Sequence, residues 1–314
     1  MDIIPLGQTG LKSSRMAYGC WRVTGPCDLP DHAAEHAAQG RAGILAAYEA
    51  GYTLFDHADV YGHGEAERLF GKVLQEVAGM RDRIQIVTKA GIRKAGSPTA
   101  EAPYRYDSSP GHIICSCEQS LQRLGVETID VYLIHRPDYL CDCDQLAEAF
   151  TRLRQSGKVR EFGVSNFTPA QVAGLQKSCP MPLAVHQVEI SLEKRDRFHD
   201  GTLEQCATLR LSPMAWSPLA AGRLATADPI PLDDPDHARR LRVRETLDQI
   251  AREHDTTRPV VALAWLLKHP GNIIPIVGST NPARVRAFAA ANDIHLSREE
   301  WYRLLEAAVG QRLL

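Results

Sequence analysis

The amino-acid sequence predicts an α/β fold, a (β/α)8 barrel of the TIM type, and two observations carry that prediction. Eight short apolar runs alternate with amphipathic helical segments along 314 residues, and a sheet of parallel strands needs a crossover helix after each strand. The rival, a doubly wound sheet, needs G-x-G-x-x-G in its first strand-to-helix turn. No such run occurs: Gly62-His63-Gly64 lacks the third glycine and follows the wrong strand.

Taken in order, the opening DIIPLGQTGLKSS reads as an N-terminal β-hairpin with Gly10 in or near its turn. The eight strand candidates are MAYGCW (16–21), TLFD (53–56), IQIVTK (84–89), IDVYLIH (129–135), REFGVS (160–165), LAVHQVE (183–189), SPMAWS (212–217) and IIPIVG (273–278). A helix is predicted over 65–79, where Ala66, Leu69, Phe70, Val73, Leu74 and Val77 repeat on one face. A second, 109–125, has Ser109 as N-cap, Pro110 in the first turn and Gly125 past the end. A third, 143–157, sets Leu146, Phe150 and Leu153 on one side and closes at Gly157. Additional C-terminal helices follow the last strand. No Pro/Gly/Ser-rich linker divides the chain, so residues 1–314 are expected to form one domain. Three long irregular segments, 91–108, 190–200 and 218–237, all follow strand C-termini, the barrel face on which sites are built.

Composition narrows the class. An apolar share of 44% and a charged share of 24% suit a globular protein with a sizeable core. A net charge of −2 gives no field to recruit nucleic acid or an anionic membrane. The basic run Arg239–Arg252 carries Glu245 and Asp248 and reads as a solvated helix face. No signal segment and no apolar run of about 18 residues is visible, so a cytoplasmic location is expected. The eight cysteines include no C-x-x-C pair, and no metal site is expected.

The chemistry-bearing residues sit at strand ends. Asp56 closes strand two with Tyr61 just beyond, Lys89 closes strand three and His135 closes strand four. On one rim of a barrel these four side chains, each unremarkable alone, would converge.

With these residues placed, the chain resembles the aldo-keto reductase superfamily, bacterial-type NADP-dependent oxidoreductases, over essentially its whole length. The motifs are GYTLFDHADVYG followed by AERLFGKVL, IVTKAG, IDVYLIHRPD, LRQSGKVREFGVSNF, HQVEISL, WSPLAAGRL and PIVGSTNPARV, in family order and spacing. The resemblance implies a catalytic tetrad of Asp56, Tyr61, Lys89 and His135, with hydride passing from a nicotinamide to the carbonyl carbon of a small aldehyde or ketone. Tyr61 would give the proton. A free phenol has a pKa of about 10, so Lys89 is expected to move it toward the working range and Asp56 to hold Lys89 charged. A neutral His135 would hydrogen-bond the carbonyl oxygen.

The resemblance also implies the cofactor contacts. Ser165, Asn166 and Gln187 would meet the nicotinamide carboxamide, and Trp216 would stack on the ring. Ser217, Leu219, Gly222 and Leu224 fall in the pyrophosphate segment, and Gly278, Ser279, Thr280 and Arg284 fall in the adenosine-phosphate site, with Asn281 capping the next helix. Gly19, Cys20 and Trp21 close strand one, with Trp21 lining the nicotinamide or substrate pocket. Gly278 stands where many relatives have lysine, and Ala287 and Phe288 where Glu and Asn often contact adenine. Phosphate binding therefore falls to the planar fork of Arg284, and NADPH is expected with NADH admissible. His57 and Asp59 are assigned to local hydrogen bonding or turn formation. Tyr104 and Tyr106 either line an apolar pocket or pack on the surface. A monomer is favoured by the resemblance, and a cofactor-binding regulatory protein with little turnover is the alternative function.

Overall fold

The computed structural model describes residues 1–25 and 34–312; Cys27 lies outside them. The hairpin β1 (Ile3–Pro5) and β2 (Lys12–Ser14) precedes the barrel. Eight further strands close into a parallel ring: β3 (Ala17–Gly19), β4 (Leu54–Asp56), β5 (Gln85–Ala90), β8 (Ile129–Ile134), β9 (Val159–Ser165), β10 (Val185–Glu189), β11 (Ser212–Trp216) and β12 (Ile274–Val277). Each falls within a residue or two of the predicted run. The segment after β5 is less irregular than expected, because β6 (Ile92–Arg93) and β7 (Arg105–Tyr106) pair antiparallel inside it.

The helices are α1 (Ala34–Glu49), α2 (Glu65–Glu76), α3 (Met80–Arg83), α4 (Pro110–Leu124), α5 (Cys143–Gln155), α6 (Pro169–Ser178), α7 (Thr202–Leu209), α8 (His237–Glu253), α9 (Arg258–Leu267), α10 (Pro282–Ala289) and α11 (Arg298–Val309). Their ends follow capping chemistry. Gly125 takes the left-handed conformation at the end of α4, and Asp142 accepts from the first backbone N–H groups of α5. Among the described residues no helix is long and apolar enough to cross a membrane.

Period-2 alternation divides the core into two regions. Inward-facing Ala17, Leu54, Val87, Val131, Leu133, Val185, Met214, Ile274 and Ile276 fill the barrel, while the alternate residues, such as Phe55, Ile86, Tyr132 and Phe162, pack beneath the helices. The hairpin stoppers the N-terminal end. Leu6 joins the interior cluster, the Gly7 N–H donates to Ser212 Oγ at 2.8 Å, and a Cβ on Gly7 would fall 2.6 Å from the Ala184 carbonyl. With that end shut, the same alternation carried two residues further brings polar side chains into the barrel at the opposite end. At the far side of the helical layer, Trp265 and Trp301 stack at 5.1 Å and exchange hydrogen bonds, each indole N–H donating to the other's carbonyl at 3.1 and 3.0 Å. This fastens α11 to α9.

Candidate active site

Because Leu54 and Val87 face inward, Asp56 and Lys89 do too, and they meet where β4 and β5 end. Lys89 Nζ donates to Asp56 Oδ2 at 2.8 Å, to the His57 carbonyl at 2.7 Å and to the Tyr61 hydroxyl at 3.2 Å, so all three ammonium hydrogens are used. Lys89 is fully buried and Asp56 nearly so. Burial presses the ammonium toward its neutral form, but Asp56 and the hydrogen bonds to Asp56 and Tyr61 outweigh it, leaving the Lys89 pKa raised. The second Asp56 oxygen accepts from Gln187 Nε2 at 2.7 Å.

Tyr61 is delivered by a turn. Gly62, His63 and Gly64 have φ of 53°, 55° and 91° in succession, and the non-glycine His63 costs about 1–2 kcal/mol to hold there. Burial pushes the Tyr61 phenol above its ordinary value, more strongly than the Lys89 charge pulls it down. Lys89 pulls in the expected direction, by charge and by hydrogen bond, but burial outweighs it and the hydroxyl keeps its proton near pH 7. His135, one residue past β8, lies with its ring 5.9 Å from that of Tyr61 at 78°, and its Nδ1 is buried without a hydrogen-bond partner among the described residues. Burial, then the charges of Lys89 and Arg136, hold it well below the usual histidine range, so it is neutral.

Next to His135, Asn166 adopts φ 62° and donates to the His135 carbonyl at 3.3 Å and to Ser165 Oγ at 2.8 Å, while its own carbonyl takes the Trp216 indole N–H at 2.9 Å. Ser165, Asn166, Gln187 and Trp216 are thus brought together with the tetrad. The Arg136 guanidinium lies 5.7 Å from the Trp216 ring centroid, a contact the sequence reading missed although Arg136 directly follows His135. Cys20 is buried beside Asp56 and Lys89, its N–H donating to the Asp56 carbonyl, and Gly19 packs against Ile276. Trp21 is 48% exposed with Arg22 over its ring.

Two other predicted groups lie further along the chain. In residues 217–222, Ser217, Ala220, Ala221 and Gly222 all have positive φ; Leu219 and Leu224 are buried, so they can offer a ligand only backbone. Near α10, Asn281 accepts from the Ala283 and Arg284 N–H groups and its own N–H donates to Ser279 Oγ, leaving Arg284 exposed and without an ion pair among the described residues. Phe288 is buried and so is not an adenine contact.

His57 makes its local hydrogen bonds through the backbone alone. Its backbone serves Lys89, but among the described residues the fully buried ring has no hydrogen-bond partner on either nitrogen, and it packs edge-on to Phe70 at 4.5 Å. The sequence also gave no role to Glu67, a buried acid on α2; its spacing of three from buried Phe70 was the available signal. Among the described residues no cluster of three or more His, Cys, Asp or Glu could hold a metal ion.

The family model for the Aldo/keto reductase family matches residues 15–308. The chain belongs to that family. It is 38% identical over 314 residues to the 6-dehydroglucose reductase of Novosphingobium aromaticivorans, covering 98% of this chain and 96% of the relative. It is 39% identical to oxidoreductase YdhF of Escherichia coli K12, covering 98% and 97%. Among solved structures, the glycerol dehydrogenase of Gluconobacter oxydans superposes with a TM-score of 0.84 at 28% identity, covering 99% of this chain and 97% of that one. The thermostable aldo-keto reductase Tm1743, solved with the inhibitor epalrestat, gives 0.82 at 27%, covering 98% and 100%. As an aldo-keto reductase the chain is an oxidoreductase, of a family that binds nicotinamide cofactors and reduces carbonyls.

Proposed function

We propose that this aldo-keto reductase is an NADPH-dependent carbonyl reductase in which Tyr61 protonates the carbonyl oxygen of a small aldehyde or ketone. The observation that carries the reading is the single buried ammonium of Lys89 bonded at once to Asp56 and to the Tyr61 hydroxyl. The residues suit the cofactor: Arg284 is an exposed guanidinium without an ion pair among the described residues, at the start of a capped helix, Ser279 and Thr280 precede it, and Asn166 joins Ser165 to the indole N–H of Trp216. When bound, the nicotinamide supplies the hydride.

The chain's own residues do the rest. Tyr61 enters the reaction protonated, and as its proton leaves, the phenolate forms against the Lys89 ammonium, which is present before reaction and needs no reorganisation. Asp56 keeps that ammonium charged. Neutral His135 has one ring nitrogen enclosed, and its other is the group available to orient the carbonyl oxygen. Arg284 favours a cofactor 2′-phosphate, with NADH accepted less well. On this reading the chain acts as a single-domain cytoplasmic monomer.

The test is NADPH oxidation followed at 340 nm against a panel of aldehydes and ketones, with Tyr61→Phe beside the wild type. Turnover by the wild type, and retained NADPH binding with at least ~100-fold lower kcat in Tyr61→Phe, is the expected pattern. An unchanged Tyr61→Phe rate removes Tyr61 as the acid, and no oxidation across the panel removes the reductase reading.

A further inference from the structure

Behind the tetrad, on the helix side of β5, lies a second set of ionisable groups that the proposed chemistry does not use. Thr88 points outward where Lys89 points inward, and its hydroxyl donates to Glu67 Oε1 at 2.6 Å. The other Glu67 oxygen accepts from Arg123 Nε of α4 at 2.7 Å, and Arg123 also donates to Ser120 at 3.1 Å. Asp59 faces the same cluster. Its N–H donates to the Lys89 carbonyl at 3.0 Å, two residues before Tyr61, and its Oδ1 is buried with no hydrogen-bond partner among the described residues.

The cluster sits against the turn that delivers Tyr61. The Arg123 side chain crosses Gly64 so closely that a Cβ there would fall 2.6 Å from Arg123 Cδ. Gly64 in turn ends the run of left-handed residues that begins one position after Tyr61. One face of the turn is therefore backed by Arg123 and Glu67, and its entry is pinned by Asp59.

We propose that Asp59 is a positioning residue, which with Glu67 and Arg123 forms a buried clamp that fixes the turn presenting the Tyr61 hydroxyl to Lys89. The clamp holds two carboxyl groups against one guanidinium, so it is balanced when one of the two carries a proton. Asp59 is the one that does: burial first, then the neighbouring Glu67, push its carboxyl up to about 7 against the pull of Arg123. Of the other groups at the cluster, Tyr132 of β8 faces Asp59 and Cys117 of α4 faces Glu67, and both stay neutral, their pKa values raised by burial. Loss of the Asp59 proton puts an uncompensated negative charge in the clamp and loosens the turn.

The window around pH 7 is otherwise quiet at the site. Tyr61 and Lys89 titrate above their ordinary values and His135 well below its own. The proposal rests on Tyr61 as proton donor, so its test has two arms. In the first, single-turnover hydride transfer from NADPH to 4-nitrobenzaldehyde is measured from pH 6 to 8. The wild-type rate is expected to fall about fivefold across that range, with the fall absent in Asp59→Asn, which holds the neutral shape. Superimposable profiles overturn the proposal. In the second arm, hydrogen exchange of the peptide covering residues 57–65 is followed in the wild type, with no substrate present. Protection corrected for intrinsic exchange should weaken several-fold between pH 6 and 8, and a flat result overturns the clamp. This arm needs neither turnover nor a folded variant, so it separates failure of the clamp from failure of Tyr61 as donor.

Discussion

Gln187 and Asp56 meet across the full width of the barrel: their strands, β10 and β4, lie four positions apart in the eight-strand ring, and the carboxamide donates to Asp56 Oδ1 at 2.7 Å. Gln187 was expected to serve the cofactor, yet it also completes the carboxylate's coordination. Gln187→Leu leaves a buried carboxylate oxygen unpaired and is expected to cost about 1.5–3 kcal/mol. Urea denaturation at pH 7 checks this; a loss below ~0.5 kcal/mol makes the cross-barrel bond unimportant.

Lys89 and Asp56 form an ion pair with essentially no solvent access. Removing only the cation, in Lys89→Met, leaves a buried charge unmatched and should destabilise the fold by about 3–5 kcal/mol. Adding Asp56→Asn should restore most of that stability while activity stays lost. A double variant no more stable than the single one refutes the coupling.

The buried histidines set the acid limit of the fold. Burial, then Lys89, holds His57 down at about 3, and burial, then Arg197, holds His186 at about 4, against 6.5 for a free side chain. The unfolded chain therefore binds more protons than the folded one as pH falls from 6.5, and stability drops by roughly 1.4 kcal/mol per pH unit for each such histidine. Asp59, raised to about 7, acts with the opposite sign between pH 7 and its ordinary 3.8. Two histidines, joined by depressed His135, outweigh it, so Tm should fall between pH 6.5 and 5. His57→Phe should flatten that slope; an unaltered slope would show that His57 titrates normally.

Arg284 is exposed and has no ion pair among the described residues, which leaves it free to meet the proposed cofactor's 2′-phosphate. Arg284→Ala is expected to weaken NADPH binding about tenfold and leave NADH unchanged, read by fluorescence titration. Equal losses for both cofactors would place Arg284 elsewhere in the cofactor site.

The eight strands were legible because barrel strands are short apolar runs closed by polar residues, and Asp56, Lys89 and His135 all stand where the apolar run ends. The pleat then forces such residues toward the barrel axis. Less visible were interactions made between elements distant in sequence. Nothing local marks Glu67 as the partner of Thr88 and Arg123, or Gln187 as the partner of Asp56 131 residues away. The direction of the Tyr61 shift was likewise hidden: Lys89 could be read from the chain, but the burial that outweighs it is a property of the packed site.

The stacked, mutually bonded indoles of Trp265 and Trp301 make the chain its own optical gauge. The four tryptophans divide into this interlocked pair and the rim pair Trp21 and Trp216. The interlocked pair should give an exciton couplet in the circular dichroism that survives Trp216→Phe and vanishes with Trp301→Phe, reporting the seating of α11 alone. Emission from the rim pair then follows events at the mouth of the barrel, so one cuvette can distinguish a ligand arriving from a terminus letting go.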